Sequence, residues 1–155
     1  MSNKNISVVN GSIRFNYRVA VLLEYEDKIL LETSSDFWNM IGGRVQYGES
    51  SLDAVSREVY EELGIQIQNL KLINISENFF KWNGKTQQEM LFVYRANVRE
   101  DCSFAKTNEF KCLDSDKTFK WFSKEKILEL DCRPKIIKEL LFQTSSITHN
   151  IDREI

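Results

Sequence analysis

A chain of 155 residues has the length of one domain with a single continuous core. Its 42% hydrophobic and 28% charged residues, with one proline, exclude disordered and fibrous classes, and 21 basic against 23 acidic residues leave a net charge of -2. That balance gives no global attraction for nucleic-acid backbones or anionic membranes, so any phosphate binding must be local. The cysteines, Cys102, Cys112 and Cys132, are odd in number, lack zinc-site spacing and accompany a single histidine, His149. They read as packing residues, not as a disulfide framework. The N-terminus has no signal-peptide core, and no window approaches the roughly 18 apolar residues of a membrane span. The expected setting is cytoplasmic, with reduced thiols.

In chain order, Ile6 to Val9 and Ser12 to Phe15 flank Asn10-Gly11, the dipeptide best suited to a tight hairpin turn. Val19 to Tyr25, the polar turn Glu26-Asp27-Lys28 and the run ILLET predict a second hairpin of central strands. After Trp38 to Ile41 and the pair Gly42-Gly43, Ser50 or Ser51 can cap a helix with Asp53 in its first turn and Gly64 at its end. IQIQNLKLINIS and EMLFVYRANV, the second following an Asn83-Gly84 turn, predict further strands. The polar stretch 101–117 predicts a loop or irregular hairpin. A short strand at Phe119 to Phe122 precedes Ser123, a cap for KEKILEL, and Pro134 opens a last helix over KIIKELLF. The last dozen residues, being polar, predict a frayed end. Strands alternating with a few helices indicate an α/β fold, a mixed sheet with helices on both faces.

At about 100° per residue the helix gives Leu52, Val55, Val59 and Leu63 one apolar stripe and sets Glu58, Glu61 and Glu62 beside it. Glutamates at i,i+3 and i,i+4 destabilise an isolated helix by about 0.2 to 0.5 kcal/mol per pair, and Arg57 offsets part of this through Glu61. The remainder invites a cation. Carboxylates without His or Cys select Mg²⁺ or Mn²⁺. Replacing Glu62 by Gln is therefore expected to relieve repulsion at little cost in stability.

Gly43, five residues, Glu49, seven residues, Arg57-Glu58, Val59, Glu61-Glu62, Gly64 and Ile65 match the pattern G-x5-E-x7-R-E-U-x-E-E-x-G-U, where U is a bulky aliphatic. This is the Nudix box, at residues 43–65, and the chain resembles the Nudix (MutT-like) hydrolases over nearly all of its length. The resemblance implies one domain over residues 1–155, folded as an α/β/α sandwich around a mixed sheet. It implies hydrolysis, with a divalent metal, within the diphosphate of a nucleoside diphosphate linked to another moiety. Carried over by position, it implies Glu58 and Glu62 as main metal ligands and Glu61 as a further or bridging one. It also implies Arg57 holding the carboxylates, Glu49 supporting them from the loop, and the Gly42 carbonyl as an additional ligand. Ile41 stands where many members have proline.

The chemistry agrees with that implication. Anionic oxygens shield a diphosphate from nucleophiles; bound metal neutralises them and activates water. Glycines let backbone approach a metal or phosphate closely, or simply form a tight turn. Glu89 is the candidate general base outside the box, since similar proteins place an acidic residue in this region facing the metals; Glu61 and Glu62 are alternatives. Arg18 and Arg44 could grip phosphate through paired donors. Trp38, Phe79, Phe80 and Trp82 supply rings of which one or two could stack on a nucleobase.

The expected substrate is a small nucleotide, ADP-ribose-like or a nucleoside triphosphate, with neither a membrane nor a nucleic-acid partner. Whether the chain pairs as a homodimer is left open. Two rivals are an RNA 5′ pyrophosphohydrolase, which would prefer a basic groove, and a non-catalytic nucleotide sensor, which the intact box argues against.

Overall fold

The computed structural model describes residues 4–33, 35–99, 109–112, 115–143 and 146–154. Asn10 and Gly11 turn the chain between strand β1 (Ser7–Asn10) and the long β2 (Ile13–Tyr25). Ser12–Phe15 and Val19–Tyr25, expected as separate strands, are joined because the polar residues between them pair with β1 or an edge strand on one side and with a parallel strand on the other. Glu26 and Asp27, both at positive φ, turn the chain into β3 (Lys28–Thr33). The edge strand β4 (Ile41–Arg44) runs through both glycines, antiparallel to β2, with Val19 opposite Gly43 and Arg18 opposite Arg44.

Helix α1 (Ser51–Leu63) is followed by β5 (Ile67–Trp82), the Asn83-Gly84 turn and β6 (Lys85–Val98), which returns antiparallel to β5 and lies parallel to β2. The remaining elements are β7 (Glu109–Lys111), β8 (Thr118–Ser123), the short helices α2 (Lys124–Ile127) and α3 (Ile137–Leu140), and β9 (Thr148–Arg153). The mixed sheet runs β7-β8-β3-β2-β6-β5-β9, with β1 and β4 also paired to β2.

Alternation along the strands divides the core into layers. Val19, Val21 and Leu23 point to one face and pack with Ala54, Val55 and Val59 of α1. Ala20, Leu22, Ile29 and Leu31 point to the other and pack with Ile127, Ile137 and Leu140 of the two short helices. This is the expected α/β/α sandwich. The last helix is shorter than KIIKELLF suggested, beginning at Ile137 after a turn in which Ile137 N donates to the Pro134 carbonyl. The expectation for 101–108, Cys102 included, lies outside the described residues.

One expectation is overturned at the C-terminus, which forms β9 parallel to β5 where fraying was anticipated. Polar side chains seat this strand. Asn74 Nδ2 donates to Thr148 Oγ1 (3.0 Å) and Asn150 Oδ1 (2.9 Å), and Ser76 Oγ lies 2.7 Å from Asn150 Oδ1. Asn74 and Ser76 are buried, so losing these partners would strand desolvated polar groups. Asn150→Ala is expected to cost about 1–3 kcal/mol in a urea unfolding titration. An unchanged midpoint would show that β9 contributes nothing to the fold.

Candidate functional site

Helix α1 begins with a reciprocal cap: Ser50 Oγ accepts from Asp53 N (3.1 Å) while Asp53 Oδ2 accepts from Ser50 N (3.4 Å). It ends at Gly64, whose φ of 70° lets its N–H reach the Tyr60 carbonyl. The buried stripe is Ala54, Val55 and Val59; Leu52, expected inside, is exposed, and Glu62 is buried instead. The acidic residues thus sit against the sheet at the level of β4 and β3.

The two glycines of β4 make room for this. They do not form a turn: a Cβ on Gly42 would lie 2.1 Å from the Val19 carbonyl oxygen, and one on Gly43 would lie 2.2 Å from Glu58 Cδ. Close approach of backbone to backbone, and of backbone to a carboxylate, is what requires glycine here. The Glu58 side chain occupies the place of the missing Gly43 side chain.

Arg57 organises the acidic residues. Its Nε and Nη2 bond both oxygens of Glu49 at 3.0 and 2.6 Å. Nη1 bonds Glu58 at 3.0 Å and Glu61 at 3.2 Å, and Nη2 also reaches the Arg44 carbonyl at 3.0 Å. All five donors of the guanidinium have acceptors. Glu49 is fixed further by Gln46 N (2.8 Å). The Glu49 carboxyl is held below its usual range, chiefly by Arg57. Burial raises the Glu58 carboxyl, with Arg57 opposing.

Glu62 has a different setting. Lys117 Nζ, just before β8, lies 2.6 Å from Glu62 and 3.4 Å from Glu32 of β3, both buried. The expected uncompensated repulsion at Glu62 is corrected accordingly, because a lysine faces it. Burial, then the neighbouring Glu62 charge, pushes the Glu32 carboxyl up to about 8 although Lys117 opposes this. Its Oε2 is buried and has no hydrogen-bond partner among the described residues. Sequence reasoning missed Glu32 and Lys117, which only the β3–β8 pairing brings near α1.

The remaining candidates lie elsewhere. Arg18 and Arg44 meet through the β2–β4 register on the face away from α1, where Arg44 Nε bonds Asn16 Oδ1 (3.1 Å). Glu89 of β6 stands on that same face, 3.5 Å from Arg18 and bonded by Asn78 Nδ2 (3.0 Å), so it does not join Glu58, Glu61 and Glu62. Trp38 packs edge-on against Phe122 at 4.8 Å and Phe79 lies under Arg153 at 4.4 Å, so both rings already have partners. Phe80 is opposite Gln87 on the Arg18 face, and Trp82 is exposed at the hairpin end.

Among the described residues, no three acidic, His or Cys side chains converge on one point; Glu58 and Glu61 face Arg57, and Glu62 faces Lys117. In other respects the donors fit a hard divalent ion: they are all oxygen, the Glu58 carboxylate lies against bare backbone at Gly43, and Glu32 Oε2 lacks a donor among the described residues. Glu58, Glu61, Glu62 and the Gly42 carbonyl are the groups available to hold it.

Gly43→Ala is expected to destabilise the protein by about 1–3 kcal/mol in thermal or urea unfolding, and by less in a Glu58→Ala background that vacates the space. Strict additivity of the two changes would place the Glu58 carboxylate elsewhere. Glu32 gives a pH test. Its folded pKa of about 8 exceeds the ordinary 4.5, so its contribution is intact below 4.5 and is lost as pH rises towards about 8. In EDTA, Glu32→Gln is expected to gain stability relative to the wild type across that window, and parallel pH profiles would refute the assignment.

The family model described as NUDIX domain matches residues 14–142. The chain is 34% identical over 79 residues to the 8-oxo-dGDP phosphatase NUDT18 of Danio rerio, covering 51% of this chain and 23% of that one. It is 36% identical over 92 residues to diphosphoinositol polyphosphate phosphohydrolase 2 of Rattus norvegicus, covering 56% and 48%. These matches span less than half of each relative's length. Among solved structures, a MutT protein from Bacillus halodurans aligns with a TM-score of 0.66 at 26% identity, covering 86% of this chain and 89% of that one. A NUDIX hydrolase from Nitrosomonas europaea, at 19% identity and a TM-score of 0.63, covers 88% and 78% and shares the fold. With a family model spanning most of its length and the box residues gathered around Arg57, this chain belongs to the NUDIX domain family.

Proposed function

We propose that the protein is a metal-dependent hydrolase of phosphoric anhydrides, acting on a nucleoside diphosphate linked to another moiety, with ADP-ribose-like compounds and nucleoside triphosphates the leading substrates. The observation that carries the reading is the Arg57 network, which holds Glu49, Glu58 and Glu61 in one arrangement beside Gly43. The relatives' names, among them an 8-oxo-dGDP phosphatase, an RNA pyrophosphohydrolase and a diphosphoinositol polyphosphate phosphohydrolase, support chemistry at a phosphoric anhydride on varied substrates.

Glu58, Glu61 and Glu62, with the Gly42 carbonyl, are the proposed holders of Mg²⁺ or Mn²⁺. A divalent ion bound there would neutralise anhydride oxygens and lower the pKa of a coordinated water. The chain's own part is positional. Arg57 fixes the directions of Glu58 and Glu61, Glu49 fixes Arg57 from the loop, and the bare backbone of β4 lets the Glu58 carboxylate lie against it. Because Glu89 stands on the other face, the proposed general base is Glu61 or Glu62. The products would be a nucleotide and a phosphorylated remainder, or pyrophosphate from a triphosphate.

A panel of nucleoside diphosphate derivatives and triphosphates with Mg²⁺ or Mn²⁺, its products separated by chromatography, tests the reading. Loss of groups that merely orient a metal ligand costs about 10–100-fold, so Glu58→Gln, which alters a proposed ligand itself, is expected to lower kcat by about 100-fold or more. Metal should also raise Tm by preferential binding to the folded state, and raise it further in Lys117→Met, where a competing cation is gone. Binding of the panel compounds without turnover would favour a sensor; full activity in Glu58→Gln would place the metal elsewhere.

A further inference from the structure

The face of the sheet turned away from α1 carries a second concentration of charge. Arg14 and Arg18 of β2 and Arg44 of β4 project from it around the buried amide of Asn16. Arg44 Nε donates to Asn16 Oδ1 (3.1 Å), Ser7 Oγ donates to the same oxygen (2.8 Å), and Arg14 Nη1 donates to Ser7 Oγ (3.2 Å). Asn16 Nδ2 in turn donates to the buried Gln87 (3.1 Å). Among the described residues, the carboxylate within ion-pair distance of these three guanidinium groups is Glu89, 3.5 Å from Arg18.

A cluster kept only for stability would not be built this way. Arg44 stands directly opposite Arg18 across the β2–β4 pair, with Arg14 on the same face of β2, so like charges have been brought together at a cost. The neighbours do not use the donors provided. Among the described residues, Arg44 has one hydrogen-bond acceptor, for Nε, and both of its Nη groups lack one. Asn78, whose Nδ2 holds the Glu89 that pairs with Arg18, has no donor to its buried Oδ1 among the described residues. Unused guanidinium forks together with a desolvated acceptor are complementary to a phosphate that carries a neighbouring hydroxyl or N–H.

We propose that Arg14, Arg18 and Arg44 form an anion site for a phosphate group of the substrate additional to the two whose bond is cleaved, with Asn78 Oδ1 accepting from an adjacent hydroxyl or N–H. This rests on the hydrolase reading and narrows it: the preferred substrates carry at least three phosphates, and nucleoside diphosphates joined to an uncharged sugar are poor. The site lies next to the carboxylates through one residue. The Arg44 carbonyl is bonded to Arg57, while its side chain reaches Asn16 on the opposite face.

The test separates the site from the catalysis. In EDTA, where no metal can bind phosphate, the full-length protein is titrated calorimetrically with inorganic tripolyphosphate. Saturable binding is expected, weakened about tenfold or more in Arg14→Gln and in Arg44→Gln and not weakened in Glu58→Gln. Arg14 makes only an edge contact with Ser7, so Arg14→Gln decides should Arg44→Gln fail to fold. With Mg²⁺, Arg14→Gln is expected to reduce kcat/KM about tenfold for a nucleoside triphosphate and to leave that for ADP-ribose within about twofold. Absent tripolyphosphate binding, equal binding by the Arg14 variant, or equal loss on both substrates would overturn the site. No turnover of any compound, with arginine-dependent tripolyphosphate binding intact, would sink the hydrolase reading and leave the anion site standing.

Discussion

The whole site depends on one guanidinium whose donors all have acceptors. Arg57 is bonded to both oxygens of Glu49, to Glu58, to Glu61 and to the backbone of Arg44. Each bond fixes another: the Glu49 and Arg44 contacts determine where the guanidinium plane lies, and that plane determines where Glu58 and Glu61 can point. A lysine could not do this, because a compact ammonium on a flexible stem has neither the planar fork nor five donors. The acidic residues of α1 are thus aligned before any ligand arrives, and the helix does not bear their repulsion alone.

Strand β4 converts this local arrangement into two surfaces. With a side-chain period of two, neighbouring residues face opposite ways. Gly43 faces α1 and gives its space to Glu58, and Arg44 faces the polar side and bonds Asn16. Gly42 lets the strand lie against Val19 with no side chain between. A shift of one residue in the β2–β4 register would put an arginine into the helix interface and a glycine on the charged face. The register is therefore a constraint on the chemistry as much as on the fold.

Local signals in the sequence carried far. The Ser50 cap, the Gly64 stop, the Asn-Gly turns and the spacing of Arg57 to the glutamates are read within a few residues and appear as expected. Features that depend on distant partners were not legible. Lys117 meets Glu62 only because β8 pairs with β3, and nothing near Lys117 in the sequence marks it. The C-terminal strand is seated by Asn and Ser side chains, so a hydrophobic pattern search reads it as a frayed end. Glu89 was placed by analogy near the metals, yet strand alternation sets it on the far face with Arg18 and Asn78. The glycine pair was ambiguous in sequence between a turn and a close approach; the Val19 carbonyl and the Glu58 carboxylate settle it.

The two cations beside the carboxylates are unequal, and the difference orders their responses to a divalent ion. Arg57 has acceptors on the loop, on β4 and on the helix, so removing it from Glu58 would break several bonds at once. Lys117 is bound through one ammonium to two carboxylates, on a long stem from the segment just before β8. A half-buried lysine facing buried acids gains Coulomb energy but loses hydration, so its net hold is modest. A doubly charged ion competing for Glu62 would therefore displace Lys117 more readily than it would displace Arg57. In the protein without metal the lysine neutralises Glu62 and Glu32 together, and among the described residues the second oxygen of Glu32 has no hydrogen-bond partner.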